Sequence, residues 1–272
     1  MDEVRRHPLN RSFRWESRRS PARRLTPEQR RSYDERGYFV LEDAFEPAEV
    51  ADLVARIDPI EAGTTDFLRT LDGGKMFIAQ ADAITFTVHL VLRSPELREF
   101  VSGPVFRDLG HDLIGPHVRL YWDQAVYKKT EPEREFPWHQ DNGYTYVEPQ
   151  AYVTCWVALT DAHVDNGCPW VVPGWHRRGT LAHELTDLGW RCLTEAPDAE
   201  PLEIRAGSIA VFSSLTPHRT GPNRTGRVRK AYIVQLAPDG ACRIDVDGRG
   251  VRRAIPQNAT GRQFVILGRD VP

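Results

Sequence analysis

The stretch YVTCWVAL at residues 152–159 decides the fold class, because its β-branched and aromatic residues are typical of a buried strand. Similar short runs lie on both sides of it, and Gly, Pro or Asn residues separate them. These runs are VRLYW at 118–122, WVV at 170–172, IAVF at 209–212 and AYIVQL at 231–236. Several short strands with turn residues between them predict a β-sandwich or barrel.

Helices are predicted upstream of these strands. Thr26 is the expected N-cap of a helix that ends near Gly37, and Gln29 completes its capping box. Pro47 opens a second helix with one apolar stripe, and Ser94 caps a third. The chain is therefore predicted to be mainly β with N-terminal helices.

Composition and charge are those of a globular protein. The 272 residues are 40% apolar and 27% charged, and the net charge of -2 suggests no nucleic-acid or membrane partner. Residues 1–25 are rich in arginine and poor in apolar side chains. This predicts a flexible arm, with a lid or a contact to an anionic partner as the functional alternative. Residues 26–272 are predicted to form a single domain.

Nothing in the sequence predicts a membrane or an export route. No apolar run reaches the ~20 residues of a transmembrane helix. The N-terminus is polar and does not resemble a signal peptide. We therefore expect a cytoplasmic location.

The sharpest chemical feature is His139-Gln140-Asp141, within PWHQD at residues 137–141. On a strand, residues i and i+2 share a face and lie about 6.6 Å apart, so this imidazole and carboxylate can converge on one ion. A second imidazole would complete the two-histidine, one-carboxylate triad that favours iron(II) in oxygenases.

A second H-x-D motif occurs at His163-Val164-Asp165. It runs directly into Asn166-Gly167, a turn signal, so Asp165 is expected to stabilise a turn. The residues alone leave either motif open as the metal site.

His218 is the candidate third ligand, because it follows the predicted strand at 209–212. A lone histidine in such a place is more often structural. However, a basic loop leads from it to Arg229, which precedes the strand at 231–236. A guanidinium there can point into a barrel and hold a carboxylate bidentately, whereas Arg224 and Arg227 are expected to be solvated.

Together these motifs resemble the phytanoyl-CoA dioxygenase (PhyH) family of non-haem iron(II)/2-oxoglutarate-dependent oxygenases, over about residues 25–238. PWHQD matches the family's H-x-D and so decides between the two copies. The other matching segments are LTPEQ at 25–29, ERGY at 35–38, DNGC at 165–168, VPGWH at 172–176, EIRAGS at 203–208, and His218 followed eleven residues later by Arg229.

The resemblance implies a double-stranded β-helix, a cupin-like jelly-roll core with iron at its open end. His139, Asp141 and His218 would hold Fe(II), while 2-oxoglutarate and O2 would be the cosubstrates. The second carboxylate of 2-oxoglutarate would pair with Arg229, helped by Thr220. Related halogenases have Gly or Ala at the position of Asp141, so halogenation is not expected.

Further candidates lie near these motifs. Gln124 and Lys128 lie on or just after the strand before H-x-D. They would contact the cosubstrate or substrate, or else form a strand edge with a solvated charge. Aromatic side chains around the predicted ligands are expected to line the substrate pocket or the core, with one also forming a wall for 2-oxoglutarate. These are Trp138, Tyr144 and Tyr146, with Trp156 as the wall.

The turn at VPGWH carries the remaining candidates. Trp175 stands where the family often has Ser, beside the pocket, so it is a candidate substrate contact. Arg177 and Arg178 either meet an anionic substrate or are exposed. The pocket itself is expected from loops at 60–90, 142–150 and 180–200.

Two other classes remain as alternatives. A catalytically silent jelly-roll protein would keep the metal site, but it would have no need of Arg229 as well. A zinc hydrolase would use the same ligands, but it lacks an obvious Glu base and gives Arg229 no role. We predict a hydroxylase that couples oxidative decarboxylation of 2-oxoglutarate to oxidation of a small molecule, such as a secondary metabolite. Desaturation, ring formation and epimerisation remain open as outcomes of the same chemistry.

Overall fold

The computed structural model describes residues 4–18, 20–131 and 135–268. Its strands are β1 (Tyr38–Leu41), β2 (Lys75–Met76), β3 (Ala79–Gln80), β4 (Ile84–Val88), β5 (Val118–Lys128), β6 (Phe136–His139), β7 (Val147–Glu148), β8 (Val153–Ala158), β9 (Pro169–Val171), β10 (Glu184–Thr186), β11 (Gly189–Arg191), β12 (Glu200–Pro201), β13 (Ile209–Ser213), β14 (His218–Thr220), β15 (Arg229–Pro238), β16 (Cys242–Val246), β17 (Arg252–Pro256) and β18 (Val265–Leu267).

Two antiparallel sheets form the jelly-roll. The larger has the order β1-β13-β8-β15-β5-β4-β3-β2, and β18 also pairs with β5. The smaller has the order β12-β9-β14-β6. A hairpin of β10 and β11 and a three-stranded sheet of β17, β16 and β7 complete the β structure. The predicted mainly β fold is confirmed.

The helices are α1 (Pro27–Arg36), α2 (Pro47–Arg69), α3 (Pro95–Val101), α4 (Pro104–Leu113) and the single turn α5 (Asp141–Tyr144), with 3-10 turns at 72–74, 90–92, 164–166 and 175–178. The Thr26 and Gln29 capping box of α1 is confirmed, and Gly37 ends the helix with φ 86°. The predicted starts of α2 and α3 are confirmed, whereas α4 was not predicted. In the described part of the chain, no helix is long and apolar enough to cross a membrane.

The larger sheet lies between the helices and the smaller sheet, which explains why every residue of β8 is buried. Alternation sends Val153, Cys155 and Val157 into the cluster formed with the helices. Trp156 and Ala158 belong to the second cluster, which includes residues of the smaller sheet. We call this second face the inner face; Thr154 lies on it by the same alternation.

Two predicted segments differ from the structure. The strand predicted at 118–122 continues to Lys128, because it pairs along its length with β15 from Arg229 to Pro238. The range 60–90, predicted as a pocket loop, is largely regular, since α2 continues to Arg69 and β2, β3 and β4 follow.

The N-terminal arm packs against the domain in its described part. Asn10 and Leu25 are buried, and Trp15 packs on the main apolar cluster. Most of the other described residues of this segment are exposed, in keeping with its arginine-rich composition. Its flexibility stays a prediction.

Candidate metal centre

The three predicted ligands lie together at one end of the smaller sheet. His139 ends β6 and His218 begins β14, and the two are direct cross-strand partners with ring centroids 4.1 Å apart. Gln140 is extended, and Asp141 then begins α5. One donor atom from each of the three residues lies within 4.8 Å of the others.

The tautomers of both histidines leave Nε2 free for a metal. The Nδ1–H of His139 donates to the Pro137 carbonyl at 2.8 Å, and that of His218 donates to the Thr216 carbonyl at 3.0 Å. A carbonyl oxygen only accepts, so Nδ1 carries the proton. Burial, followed by the neighbouring His218, holds the pKa of His139 well below its usual range, which keeps that imidazole neutral.

The carboxylate of Asp141 is held by residues that sequence reasoning missed. The Thr154 hydroxyl donates to Asp141 Oδ2 at 2.5 Å, and Gln235 Nε2 donates to Thr154 Oγ1 at 3.1 Å. The available signal was strand periodicity, since Thr154 lies two residues before Trp156 and shares its face. Such partners fix the orientation of a metal ligand.

Arg229 is an unsatisfied buried cation. It is 1% exposed, Nη1 reaches only the Val126 carbonyl at 3.4 Å, and Nε and Nη2 have no hydrogen-bond partner among the described residues. Burial lowers its pKa to about 10. Its Cζ lies 5.1 Å from the centre of the Trp156 ring. Because burying such a charge without a partner is costly, the site fits an anionic ligand.

Lys128 lies directly beside Arg229, as its cross-strand partner. It is 2% exposed, and its Nζ donates to the Gly221 carbonyl at 2.5 Å. Burial and the charge of Arg229 lower the pKa of Lys128 to about 7. The alternative of a solvated charge at a strand edge is therefore wrong for Lys128.

The other cofactor candidates lie on neighbouring strands. Gln124 shares a face of β5 with Lys128 and accepts a hydrogen bond from Trp122 Nε1 at 3.1 Å. Thr220 lies two residues after His218 on β14 and so shares its face.

Aromatic rings lie around the two histidines. Tyr144 and Phe136 are 5.2 Å and 4.9 Å from the ring centre of His139, and Phe212 is 4.6 Å from that of His218. Of these three, Tyr144 was predicted. Strand position would not have revealed Phe136, because residues three apart on a regular strand lie on opposite faces, and the pairing of β6 with β14 is irregular between these positions. Phe212 lies on β13, on the inner face.

The three other aromatic substrate candidates pack elsewhere. Trp138 is on the opposite face of β6 from His139, in an apolar cluster with Leu181. Tyr146 stacks on His7, with ring centroids 4.7 Å apart. Trp175 lies under the Arg178 guanidinium, 3.8 Å from ring centre to Cζ. The geometry does not support a substrate contact for these three side chains.

Four arginines near the candidate site in sequence are exposed to solvent. Arg177 and Arg178 are exposed after the turn at Trp175. Arg224 and Arg227 are exposed in the loop before β15, as predicted. None of these four guanidinium groups shares the buried position of Arg229.

The second H-x-D is a turn, as predicted. His163 and Asp165 are exposed, and Gly167 ends the turn with φ 82°. The stabilising side chain is Asn166 rather than Asp165: its Oδ1 accepts from the His163 N–H and its Nδ2 donates to the Asp161 carbonyl. Asn is the better choice here because its amide both donates and accepts.

Two histidines and one carboxylate at the end of a jelly-roll barrel place this chain in the class of metal-binding jelly-roll proteins. Within that class, the phytanoyl-CoA dioxygenase (PhyH) family model matches residues 33–231, and the chain belongs to this family.

Individual relatives cover most of the chain. The phytanoyl-CoA dioxygenase of Arabidopsis thaliana is 24% identical over 86% of this chain and 96% of its own. The ectoine dioxygenase of Bordetella bronchiseptica is 29% identical over 73% of this chain and 71% of its own. The crystal structure of the carbocyclase SnoK from nogalamycin biosynthesis has a TM-score of 0.72 at 23% identity, covering 89% of this chain and 96% of SnoK. That similarity supports the jelly-roll fold.

Proposed function

We propose that the protein is an iron(II)- and 2-oxoglutarate-dependent dioxygenase that hydroxylates a small molecule. The observation that carries the proposal is the buried guanidinium of Arg229, which lies in the same barrel as the metal centre and has two nitrogens with no hydrogen-bond partner among the described residues. A zinc hydrolase or a silent metal-binding barrel gives this cation no task. The names of the relatives, phytanoyl-CoA dioxygenase and ectoine dioxygenase, agree with the proposal.

The side chains fit the two groups. His139, His218 and Asp141 offer the two imidazoles and one carboxylate that suit iron(II) and leave positions open for further ligands. Arg229 offers a planar fork for a carboxylate. When bound, iron(II) and 2-oxoglutarate supply the oxidising power that inserts oxygen from O2 into a C–H bond.

The chain's own residues bind and orient. Arg229 holds the far carboxylate of 2-oxoglutarate, and Lys128 adds a second positive charge beside it. Trp156 provides an apolar wall under the guanidinium. Gln124 and Thr220 are proposed to complete the cosubstrate site from the neighbouring strands.

The substrate side is proposed to be largely apolar. Tyr144 and Phe136 flank His139, and Phe86 packs on Phe136 with ring centroids 5.9 Å apart. A Cβ built at Gly189 would lie 2.6 Å from the Tyr144 hydroxyl and 3.1 Å from Ile78. The β10–β11 hairpin, which contains Gly189, and the β2–β3 hairpin, which contains Ile78, therefore meet beside the Tyr144 ring. They are suited to enclose an uncharged ring or chain while excluding water. A cytoplasmic location remains part of the proposal.

The direct test is succinate formation from 2-oxoglutarate with iron(II) and O2. We expect the wild type to form succinate slowly without substrate and faster when a substrate is added. Alanine at His139, Asp141 or His218 should abolish metal binding and turnover. His163→Ala and Asp165→Ala are the matched controls from the second H-x-D, and both should behave as wild type. Oxygen-independent activity restored by zinc would instead support the hydrolase.

A further inference from the structure

The first described residues pair with the segment 178–182. His7 donates its backbone N–H to the Thr180 carbonyl at 2.9 Å. Arg6 and Leu181 form an isolated antiparallel bridge. The arm therefore acts as an added edge for this segment.

Asn10 anchors the arm from a buried position. It is 3% exposed, and its Nδ2 donates to both the Arg178 and the Thr180 carbonyls at 2.9 Å. Gly179 lies between these two residues with φ +71°, and a Cβ there would lie 2.6 Å from Asn10 Nδ2. Removal of the Asn10 amide would leave the buried Thr180 carbonyl and the partly buried Arg178 carbonyl without this donor.

The turn that carries Asp141 also contacts the segment 178–182. Gln140 Nε2 donates to the Gly179 carbonyl at 3.1 Å, and Asn142 Nδ2 donates to the Thr180 hydroxyl at 2.6 Å. Both amide side chains are fully buried, and they directly precede and follow Asp141 in the chain. The residues that flank the carboxylate ligand thus bind Gly179 and Thr180, within the stretch that Asn10 holds through Arg178 and Thr180. Thr180 is bound from both sides.

We propose that the N-terminal arm is a positioning element for the metal centre, with Asn10 as its positioning residue. Asn10 fixes residues 178–180, and these fix Gln140 and Asn142, which orient the Asp141 carboxylate. The inference rests on the proposed function, since it requires Asp141 to bind metal. Ligand groups must be held within about 0.5 Å of their productive geometry, so a loosened support weakens binding.

The test compares metal binding by the full chain and by Asn10→Ala, using anaerobic titration with iron(II). We expect the iron dissociation constant to rise roughly tenfold, the lower end of the range for groups that orient metal ligands. The visible spectrum of the cobalt(II)-substituted protein should also change, because the geometry of the carboxylate ligand changes. A purely structural role would lower the melting temperature of the metal-free protein without altering this spectrum.

Two control variants separate positioning from stability. Arg11→Ala removes the exposed neighbour of Asn10, whose guanidinium bonds only to the arm's own Pro8 carbonyl among the contacts described. Ser94→Ala removes the N-cap of α3, which matches a loss of stability at a site in another part of the fold. Both should keep the wild-type iron affinity and cobalt spectrum.

The outcomes are distinguishable. A wild type that binds no iron would refute the proposed function itself. A wild type that binds iron, together with an Asn10→Ala variant of equal affinity and unchanged cobalt spectrum, would overturn the positioning role alone. If the alanine variant does not fold, Asn10→Ser keeps one donor; we expect an intermediate dissociation constant, and a wild-type value would overturn the inference.

Discussion

The side chains of Arg229 and Lys128 are buried next to each other on paired strands. This basic pair restricts the chemistry of the bound ligand more than the three metal-binding side chains do. Three metal ligands are compatible with zinc or iron, whereas a buried guanidinium with two nitrogens that no described residue satisfies favours an anionic ligand. The sequence predicted Arg229 because it precedes an apolar strand, but it left open whether Lys128 was buried. Side-chain burial at a strand end depends on the partner strand, which only the fold supplies.

Replacing Arg229 by Met keeps the apolar stem and removes the donors. We expect the 2-oxoglutarate dissociation constant to rise roughly 100-fold, since a hydrogen bond to a charged group is worth ~1.5–3 kcal/mol and 1.4 kcal/mol is tenfold. Iron affinity should not change. Anaerobic calorimetry measures both constants, and the exposed Arg227→Met is the control. Unchanged cosubstrate affinity in Arg229→Met would remove this residue from the site.

The pH dependence of cosubstrate binding should follow Lys128, whose pKa burial and Arg229 lower to about 7. Below that pH the protonated amine attracts the dicarboxylate, and above it the neutral amine does not, so affinity should fall as pH rises through about 7. Arg229, Glu131 and Glu135 are the charged groups that act on it. Lys128→Met should flatten the profile between pH 6 and 8.5, a range set about the pKa. A profile that keeps its slope in this variant would exclude Lys128 as the titrating group.

At the scale of elements, strand β8 connects the core to the metal centre through simple alternation. Its outer residues pack on the helices, while Trp156 and Thr154 face inward to the Arg229 guanidinium and to Asp141. The sequence predicted this strand within one residue at each end. The sequence did not indicate that Thr154 contacts the Asp141 side chain, because this contact depends on the position of α5 after β6.

Thr154→Val tests this link, because it keeps the shape of the side chain and removes the hydroxyl that holds Asp141. We expect iron affinity to fall by roughly 10- to 100-fold, the range for groups that orient metal ligands. Thr87→Val is a matched control, since Thr87 is a buried strand threonine whose Oγ1 has no hydrogen-bond partner among the described residues. Equal affinities in the two variants would mean that the Thr154 hydroxyl does not support the ligand.

Aromatic residues near a motif were harder to interpret than the motif itself. Trp138 neighbours His139 in sequence, but alternation turns it to the other face of β6. Tyr146 packs against His7, which is distant from it in sequence. Trp175 packs against Arg178, which lies just outside the VPGWH motif. Only Tyr144 was both predicted and found beside a ligand.

At the scale of the molecule, two sheets and a layer of helices bring together residues that are distant in sequence. His139 and His218 are cross-strand partners, and Arg229 pairs with Lys128. Local pattern predicted the mainly β class and the helix starts, and family resemblance supplied the jelly-roll and its ligands. The packing of the N-terminal arm was missed because composition carries no information about single buried contacts such as that of Asn10.

We propose that one barrel holds iron(II) and 2-oxoglutarate together, and anaerobic titration of the metal-free protein tests this arrangement. Iron(II) is added first and 2-oxoglutarate second, while the visible charge-transfer band of the chelate is recorded. We predict that the band forms in the wild type, is absent in Asp141→Ala, and needs far more 2-oxoglutarate in Arg229→Met. Iron binding without any band in the wild type would contradict the proposed function, because 2-oxoglutarate would then not be bound to the metal.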